Sequence, residues 1–437
     1  MLLTTGWVLT RSLAAPAAEL LPNGLRIVVR ERHTAPIVAI DFWVRAGSAD
    51  EGPGENGCAH FLEHTLFKGT TNHSIGAADY AIENAGGVLN ASTGADYAHY
   101  YTELPGNHVE PALAAIADIV RHATFPDAEI ERERSVILDE LATRETDPFD
   151  RIQKLLYQSA FGAQPYAHSP GGESASIKIR GRDSLVAFFK RLYVPGRCVL
   201  SLAGDITAAE GRKLAVHYFG DWAGAGTELN SDAPIPFPVQ SSASDQQRPA
   251  DPQAIGLAFA APAAGSVRFT AIGLVTAALL GESGLSGRFS SQRWSGTHIA
   301  TRYTPRRSVS LFTIVANVPV PIPARPFESP SPPQFADLST LERTIRSEVS
   351  ALAVNSPSQD ALAGAIRAVQ SQITYDGETT AGLAREVGLA ELIGGDSPEE
   401  LILRLGTITP AEVQAFASEW LSLAHCVTVR SEPGSAE

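Results

Sequence analysis

Residues 60–64 read His-Phe-Leu-Glu-His, a short stretch in which three side chains could take part in metal-assisted chemistry. Glycine and proline residues precede the stretch and a Lys-Gly pair follows it, which are start and stop signals of a helix. On that helix His60 and His64 lie one turn apart on the same face, so that their two imidazoles can hold one ion. Glu63 lies three residues from His60. The stretch therefore predicts two metal ligands and a base on one short helix.

A catalytic zinc site normally has three protein ligands and a water, so a third ligand is expected elsewhere in the chain. The segment 127–145, DAEIERERSVILDELATRE, predicts a second helix. Glu133 and Glu140 are seven residues apart and lie on one face of that helix, close to the apolar run Val136, Ile137, Leu138 and Leu141. Because an unpaired charge beside a buried stripe is costly, these carboxylates need a partner, and a metal ion would provide one.

Four segments of the first half carry a family resemblance: HFLEHTLFKGT, GGVLNASTGADYAHYYTEL, ERERSVILDEL and YVPGRCVLSLAGDI. They resemble the inverzincin peptidases, the family of pitrilysin, insulysin and mitochondrial processing peptidase, whose inverted zinc motif is H-x-x-E-H. In that family the third ligand is a glutamate 76 residues beyond the second histidine, and another glutamate precedes it by seven residues. Glu140 and Glu133 stand at these two positions.

The resemblance implies a zinc peptidase in which Zn²⁺ is held by His60, His64 and Glu140. In this scheme Glu63 is the general base that takes a proton from the attacking water and passes it to the leaving amine. Glu133 is then a catalytic-site carboxylate that orients a ligand or the site.

The resemblance also implies an edge strand beside the zinc, on which a substrate peptide adds as an extra strand. The residues at that position are Asn90, Ala91 and Ser92. An ordinary strand after a turn is the alternative for each of them. Phe67 either lines a pocket for a substrate side chain or packs as a core aromatic at the end of the helix.

Composition excludes several functional classes. The formal net charge of −14 and the pI near 5.3 leave no basic face that would neutralise phosphates, so nucleic acid is not an expected partner. No run of 18 apolar residues predicts a membrane span. Three separated cysteines imply no disulfide framework. The first residues resemble a secretory signal only weakly because Arg11 interrupts the apolar stretch, and a cytoplasmic or periplasmic location stays open.

Two helix starts of the same design indicate an internal duplication. Thr207 with Glu210, and Thr409 with Glu412, form capping boxes, in which the hydroxyl and the carboxylate satisfy N–H groups of the first helical turn. The boxes lie 202 residues apart, which suggests two similar domains of about that length.

The chain is long enough for two or more domains, and its strand-like and helical runs mix without strict βαβ alternation, which predicts an α+β fold. We assign 20–222 to a zinc-bearing catalytic domain, 223–250 to a linker rich in Ala, Gly, Pro and Ser, and 251–437 to a second homologous domain without a zinc site. A proline-rich loop at 318–333 is expected to be exposed. The resemblance implies that two such layered α/β domains form one half of a clamshell peptidase chamber.

The second domain departs from the family at one functional position. The segment LLGESGLSGRFSSQRW resembles the family's glycine-rich turn and following helix, with Arg288 and Arg293 near expected arginines. The family's arginine and tyrosine pair contacts the substrate carbonyl across the chamber, but 296–301 read Gly-Thr-His-Ile-Ala-Thr and Tyr303 is out of register. We therefore expect a heterodimer with a related subunit that supplies the pair. A homodimer that uses Tyr303 or His298 is the alternative.

Two functions without turnover remain as alternatives. The chain could be a structural relative, like the core subunits of respiratory complexes that share this fold, or a module that binds a metal or a peptide. Such structural relatives have lost the zinc residues, whereas this chain keeps every position of the motif. The sequence therefore favours a metalloendopeptidase that acts on peptides or unfolded polypeptides.

Overall fold

A computed structural model describes residues 18–224, 242–247, 253–285, 297–318 and 338–433. The chain folds as two halves, each with one mainly antiparallel sheet and a set of helices packed on it. The expected α+β fold with two layered domains is confirmed. Among the described residues no helix is both long and apolar enough to cross a membrane.

The first sheet has six strands in the order β1-β2-β6-β3-β5-β4. Their bounds are Glu19–Leu20 (β1), Arg26–Glu31 (β2), Ile37–Val44 (β3), Asn90–Thr93 (β4), Ala98–Pro105 (β5) and Cys198–Gly204 (β6). β3 and β6 are almost wholly buried, as their apolar runs IVAIDFWV and CVLSLAG indicate, because helices cover both faces of the sheet. The two strands therefore form the rigid centre of this half.

The helices of the first half supply the layers around that sheet. In chain order they are α1 (Cys58–Leu66), α2 (Ala77–Asn84), α3 (Val109–His122), α4 (Asp127–Arg144), α5 (Pro148–Phe161), α6 (Ser174–Ile179), α7 (Arg182–Leu192) and α8 (Ala208–Phe219). On β3, Val38, Ile40 and Phe42 alternate toward the main core, which contains residues of α1, α3 and α7. Ala39 and Trp43 face the opposite side.

The second sheet repeats the first. Its strands are Ser242–Gln247 (β7), Gln253–Ala261 (β8), His298–Thr304 (β9), Ser310–Val318 (β10) and Val427–Pro433 (β11), in the order β7-β11-β8-β10-β9. β7 runs parallel to β11, as β2 runs parallel to β6, and every other pair in both sheets is antiparallel. The two halves thus share one topology, with β9 in the place of β4.

The helices of the second half are α9 (Val267–Ala278), α10 (Leu338–Val354), α11 (Gln359–Asp376), α12 (Thr380–Ile393), α13 (Pro398–Leu405) and α14 (Pro410–Trp420). Both capping boxes form. The hydroxyl of Thr207 accepts a hydrogen bond from the Glu210 amide at 3.2 Å, and Thr409 does the same for Glu412 at 3.3 Å. They open α8 and α14, at equivalent places in the two halves.

One boundary from the sequence needs correction. β7, Ser242–Gln247, lies inside the range 223–250 that we assigned to the linker, yet it pairs with β11 as an edge strand of the second sheet. Its sequence, Ser-Ala-Ser-Asp-Gln-Gln, is polar at nearly every position and carries no apolar alternation, so nothing local marks it as a strand. The rest of that range from 225, most of the proline-rich loop, and residues 1–17 lie outside the described residues.

The two halves exchange one helix each. α5, from the first half, packs on the second sheet, where the missing side chain of Gly256 makes room for Ile152 and Leu156. α12, from the second half, packs on the face of the first sheet that carries Trp43. A Cβ on Gly388 of α12 would lie 2.4 Å from Trp43 Nε1, so the close approach requires glycine there. Each sheet is therefore completed by the other half.

Candidate metal centre

The helix α1, which carries the H-x-x-E-H motif, is fixed at its start by the buried carboxyl group of Glu51. Glu51 accepts hydrogen bonds from the amides of Gly57 and Ala59, both at 3.0 Å, and these satisfy N–H groups at the beginning of the helix. Gly57 has φ of +84°, a conformation that favours glycine. Burial raises the pKa of Glu51 to about 8, against the two amide hydrogen bonds. Glu51 could not be identified from the sequence, since one acidic residue in a turn-rich segment carries no signal of its own.

The three residues predicted to hold the metal meet where α1 packs against α4. One nitrogen of His60, one of His64 and one carboxylate oxygen of Glu140 all lie within 4.8 Å of one another. Nε2 of each histidine lies 3.5 Å from the same oxygen, Oε2 of Glu140. Two ligands about 2.1 Å from a tetrahedral zinc ion are separated by about 3.4 Å. The donor set and the two distances from the histidines to Glu140 therefore fit zinc.

The protonation of His60 suits a metal ligand. Burial and, to a smaller extent, the neighbouring His64 lower the pKa of His60 to about 4 against the opposing effect of Glu140. His60 is therefore neutral near pH 7, the form in which imidazole binds a metal. Its Nδ1 is buried beside Gly171, where an added Cβ would lie 4.0 Å from it. No motif in the sequence marks the segment around Gly171 as part of the site.

Glu133 lies behind His64, on the side away from Glu140. Its Oε2 is 3.1 Å from Nδ1 of His64 and its Oε1 is 2.9 Å from Nζ of Lys68. Burial opposes ionisation, but hydrogen bonds from Lys68 and His64 outweigh it and hold the pKa of Glu133 below its usual range. An ionised Glu133 accepts the Nδ1 proton of His64, which leaves Nε2 of His64 free to bind a metal.

Glu63 lies on the same turn of α1 as His64 and contacts β4. The hydroxyl of Thr93 donates to Oε2 of Glu63 and thereby fixes the carboxylate beside the ligand cluster. Burial raises the pKa of Glu63 against the lowering effects of Thr93 and His64. A raised pKa makes a carboxylate a better proton acceptor, which is the property that a general base needs.

The strand expected to bind substrate is the edge of the first sheet. Asn90, Ala91 and Ser92 lie on β4, which pairs with β5 on one side and ends at Thr93 beside Glu63. Their role in binding stays a prediction. Phe67 caps α1, stacks edge-on against Tyr100 at 5.7 Å and also lines a cavity of about 240 Å³ next to α2 and α3. Phe67 thus packs as a core aromatic, and a role for it in binding a substrate side chain stays a prediction.

The second half places no tyrosine at this centre within the described residues. Tyr303 is buried, and its hydroxyl donates to the carbonyl of Pro262 at 2.8 Å inside its own half. His298 is exposed and contacts Phe149, with ring centres 5.1 Å apart. Arg288 and Arg293 lie outside the described residues.

Comparison with known proteins identifies the family. The family model described as "Insulinase (Peptidase family M16)" matches residues 26–172, and the model described as "Peptidase M16 inactive domain" matches 181–369. An uncharacterized zinc protease of Mycobacterium tuberculosis is 36% identical over 202 residues, which are 45% of this chain and 46% of that protein. Subunit 1 of the bovine cytochrome b-c1 complex is 34% identical over 208 residues, 48% of this chain and 43% of that protein.

The chain thus spans about half the length of the curated relatives that it matches. A solved protease from Helicobacter pylori has the same fold along nearly its whole length, with a TM-score of 0.82 at 19% identity over 95% of this chain and 99% of that one. Two models of one family account for successive parts of the sequence. The expected family resemblance is confirmed, and the protein belongs to peptidase family M16, the insulinase family.

Proposed function

We propose that this protein is a zinc-dependent endopeptidase that hydrolyses peptides bound as an extended strand along β4. The observation that carries the proposal is the meeting of His60, His64 and Glu140 within 4.8 Å, beside the carboxylate of Glu63. Relatives whose names include zinc protease support the same conclusion.

Each residue at the site has a part in the reaction. His60, His64 and Glu140 would hold zinc, which supplies a Lewis acid that acidifies water and polarises a carbonyl. Glu63 takes a proton from the attacking water and gives it to the leaving amine, since its raised pKa suits both transfers. Glu133 keeps His64 in the correct tautomer through the 3.1 Å contact.

The open edge of β4 supports binding of substrate through its main chain. Thr93 joins this strand directly to Glu63, so a peptide paired along Asn90–Thr93 would run past the base. Hydrogen bonds of this kind recognise an extended backbone more than particular side chains. Unfolded segments are therefore the expected substrates.

We further propose that the protein is the catalytic subunit of a heterodimer, in which a related chain supplies an arginine and a tyrosine to the substrate carbonyl. The buried Tyr303, whose hydroxyl is bound to Pro262, supports this proposal because the described part of the second half offers no tyrosine to the site. Loss of such a donor costs about a hundredfold in rate or more. A homodimer that uses His298 is the alternative.

The central experiment compares the wild type with Glu63→Gln. Both are assayed for zinc content and for hydrolysis of a quenched fluorescent peptide, before and after treatment with a chelator and re-addition of zinc. We expect the variant to keep its zinc and to lose nearly all turnover, because the ligands remain and the base is gone. Wild-type turnover in the variant would refute the role of Glu63.

The same assay separates the peptidase from a structural relative. The similarity to a subunit of the cytochrome b-c1 complex, and the description of the second matching model as inactive, favour that second candidate. A structural relative would show no zinc-dependent turnover alone or with any partner chain.

The subunit proposal is tested by assaying the purified chain with and without the related polypeptide that co-purifies with it. Full activity of a homodimer, unchanged by that polypeptide, would refute the heterodimer.

A further inference from the structure

A cavity of about 570 Å³ lies between the two halves, next to the candidate metal centre. The end of α4, the helix α5 and the segment that follows α5 form its first wall. β9 and the turn after it, from the second half, form the opposite wall. The proposed catalytic reaction uses none of the side chains that line it.

The lining is rich in positive charge although the protein as a whole is acidic. Five of the nineteen lining residues are arginine or lysine, whereas the whole chain has 34 among 437 residues and a net charge of −14. Two lining residues are acidic. The cations are Arg144, Arg151, Lys154, Arg302 and Arg306. This local excess of cations points to an anionic ligand.

Two of the cations mainly build the walls. Arg306 lies over the rings of Tyr157 and Tyr166, with the guanidinium carbon 5.7 Å and 5.9 Å from the ring centres. Lys154 pairs with Glu173 at 3.2 Å. These contacts fix the shape of the cavity and reduce the charge that both cations can offer to a ligand.

Arg302 differs from these two. Its side chain is exposed, it lines the cavity, and no acidic side chain in the described part of the chain pairs with it. Thr304, which also lines the cavity, follows it by two residues on β9 and so projects from the same face of the strand. Arg302 can therefore donate to a planar carboxylate with both terminal nitrogens, and the Thr304 hydroxyl can add a third donor.

The cavity adjoins both the metal ligands and the substrate strand. Arg144 lies one turn beyond Glu140 on α4 and contacts it at 2.5 Å. Ala95, another lining residue, follows the end of β4 by two positions. A peptide paired along β4 and crossing Glu63 would thus have one end directed into the cavity.

We propose that this cavity binds a carboxylate of the peptide substrate, with Arg302 as the main contact, and so selects substrates that carry a negative charge a few residues from the cleaved bond. This inference rests on the proposed function. The carboxylate can belong to an acidic side chain or to the carboxyl terminus of the peptide, and both present the same planar anion to the guanidinium.

Binding is measured with the full-length Glu63→Gln protein, so that the readout does not depend on turnover. Fluorescence anisotropy compares peptides of one sequence that carry a single Glu or Gln at successive positions, each with a free or an amidated carboxyl terminus. We expect one position, or the free terminus, to bind about tenfold more tightly than its neutral counterpart at low salt, with a smaller preference at high salt. The Glu/Gln and acid/amide arms distinguish the two sources.

The decisive variant is Arg302→Gln in the same background, which should reduce the preference for the acidic peptide to about twofold or less. The matched control is Arg367→Gln, since Arg367 is an exposed arginine on α11 that does not line the cavity. It should retain the full tenfold preference. Equal binding of acidic and neutral peptides by the unsubstituted protein, or equal preferences in the Arg302 and Arg367 variants, would overturn the proposal.

Failure of the proposed function gives a different result. In that case the wild type would not hydrolyse the neutral peptide with zinc, either alone or with the related chain that co-purifies with it, whatever the anisotropy shows. If acidic and neutral peptides were hydrolysed with equal kcat/KM and bound equally well, the proposed peptidase function would stand and the carboxylate site would be refuted.

Discussion

Replacing Glu133 by glutamine tests how the site holds its second histidine. The carboxylate contacts two donors at once, Nδ1 of His64 at 3.1 Å and the ammonium group of Lys68 at 2.9 Å. An amide of the same size has only one acceptor oxygen. If that oxygen accepts from Lys68, the amide NH₂ faces the Nδ1–H of His64, and the preferred tautomer is lost.

The expected effect of Glu133→Gln on zinc affinity and on kcat is estimated from the loss of one charge-assisted hydrogen bond. Such bonds contribute about 1.5–3 kcal/mol, which corresponds to about a 10- to 150-fold change in an equilibrium or a rate. Carboxylates behind metal-bound histidines have effects of about 10- to 100-fold. We expect Glu133→Gln to weaken zinc binding about tenfold. Because the misplaced His64 also disturbs the reacting geometry, we expect kcat at saturating zinc to fall further, by about a hundredfold.

The assay pairs a zinc dissociation constant, obtained by competition with a chelator, with kcat measured in excess zinc. The control is Glu129→Gln, on the same helix and also buried, whose carboxylate accepts two hydrogen bonds from Arg132 at 2.7 Å and does not reach the ligands. Its zinc affinity should stay within about twofold of the wild type. Unchanged zinc affinity and kcat in Glu133→Gln, or equal losses in the control, would refute the role of Glu133.

Glu140→Gln should lower zinc occupancy at equal protein concentration, and full zinc by metal analysis would mean that the third ligand lies elsewhere. Gly388→Ala should destabilise the protein by about 1–3 kcal/mol in urea unfolding because its Cβ would lie 2.4 Å from Trp43. The helical control Gly364→Ala, whose Cβ would come no closer than 4.0 Å to the Arg367 side chain, should be neutral or stabilising. Burial raises the pKa of Glu51 from 4.5 to about 8, so the stability contributed by its protonation is complete below about pH 4.5 and declines as pH rises through 8. Glu51→Gln should flatten this decline between pH 5 and pH 9, and an unchanged slope would contradict it.

The candidate site could be predicted largely from the sequence because its parts are local or regularly spaced. His60, Glu63 and His64 share two turns of one helix, and helical geometry alone places the two histidines together. Glu140 needed the family spacing, since nothing within α4 distinguishes it from the other glutamates of that helix. The structure brings these residues together, although their roles in binding and catalysis stay predictions.

Contacts between segments that are distant in the chain could not be predicted. Glu51 acts on α1 through two backbone amides, and backbone groups carry no sequence signature. The same limit applies to Tyr303. It lies close in the sequence to the position of the family's tyrosine, but its hydroxyl donates to the carbonyl of Pro262 and does not reach the site. In both cases a partner far along the chain decides the role of the side chain.

The exchange of α5 and α12 has a consequence for how the two halves behave. The sequence suggested two domains separated by a linker. In the structure, one face of each sheet is covered by a helix from the other half: Ile152 and Leu156 of α5 pack on the second sheet, and α12 packs on Trp43 of the first sheet. Removing either half would expose a continuous apolar sheet face, which a folded domain does not tolerate. α5 follows directly on α4, which carries Glu140, so packing on the second sheet also restrains the metal centre. The half without a metal site therefore acts as a structural support for the half that has one, and substitutions between α5 and β8 should change zinc affinity as well as stability.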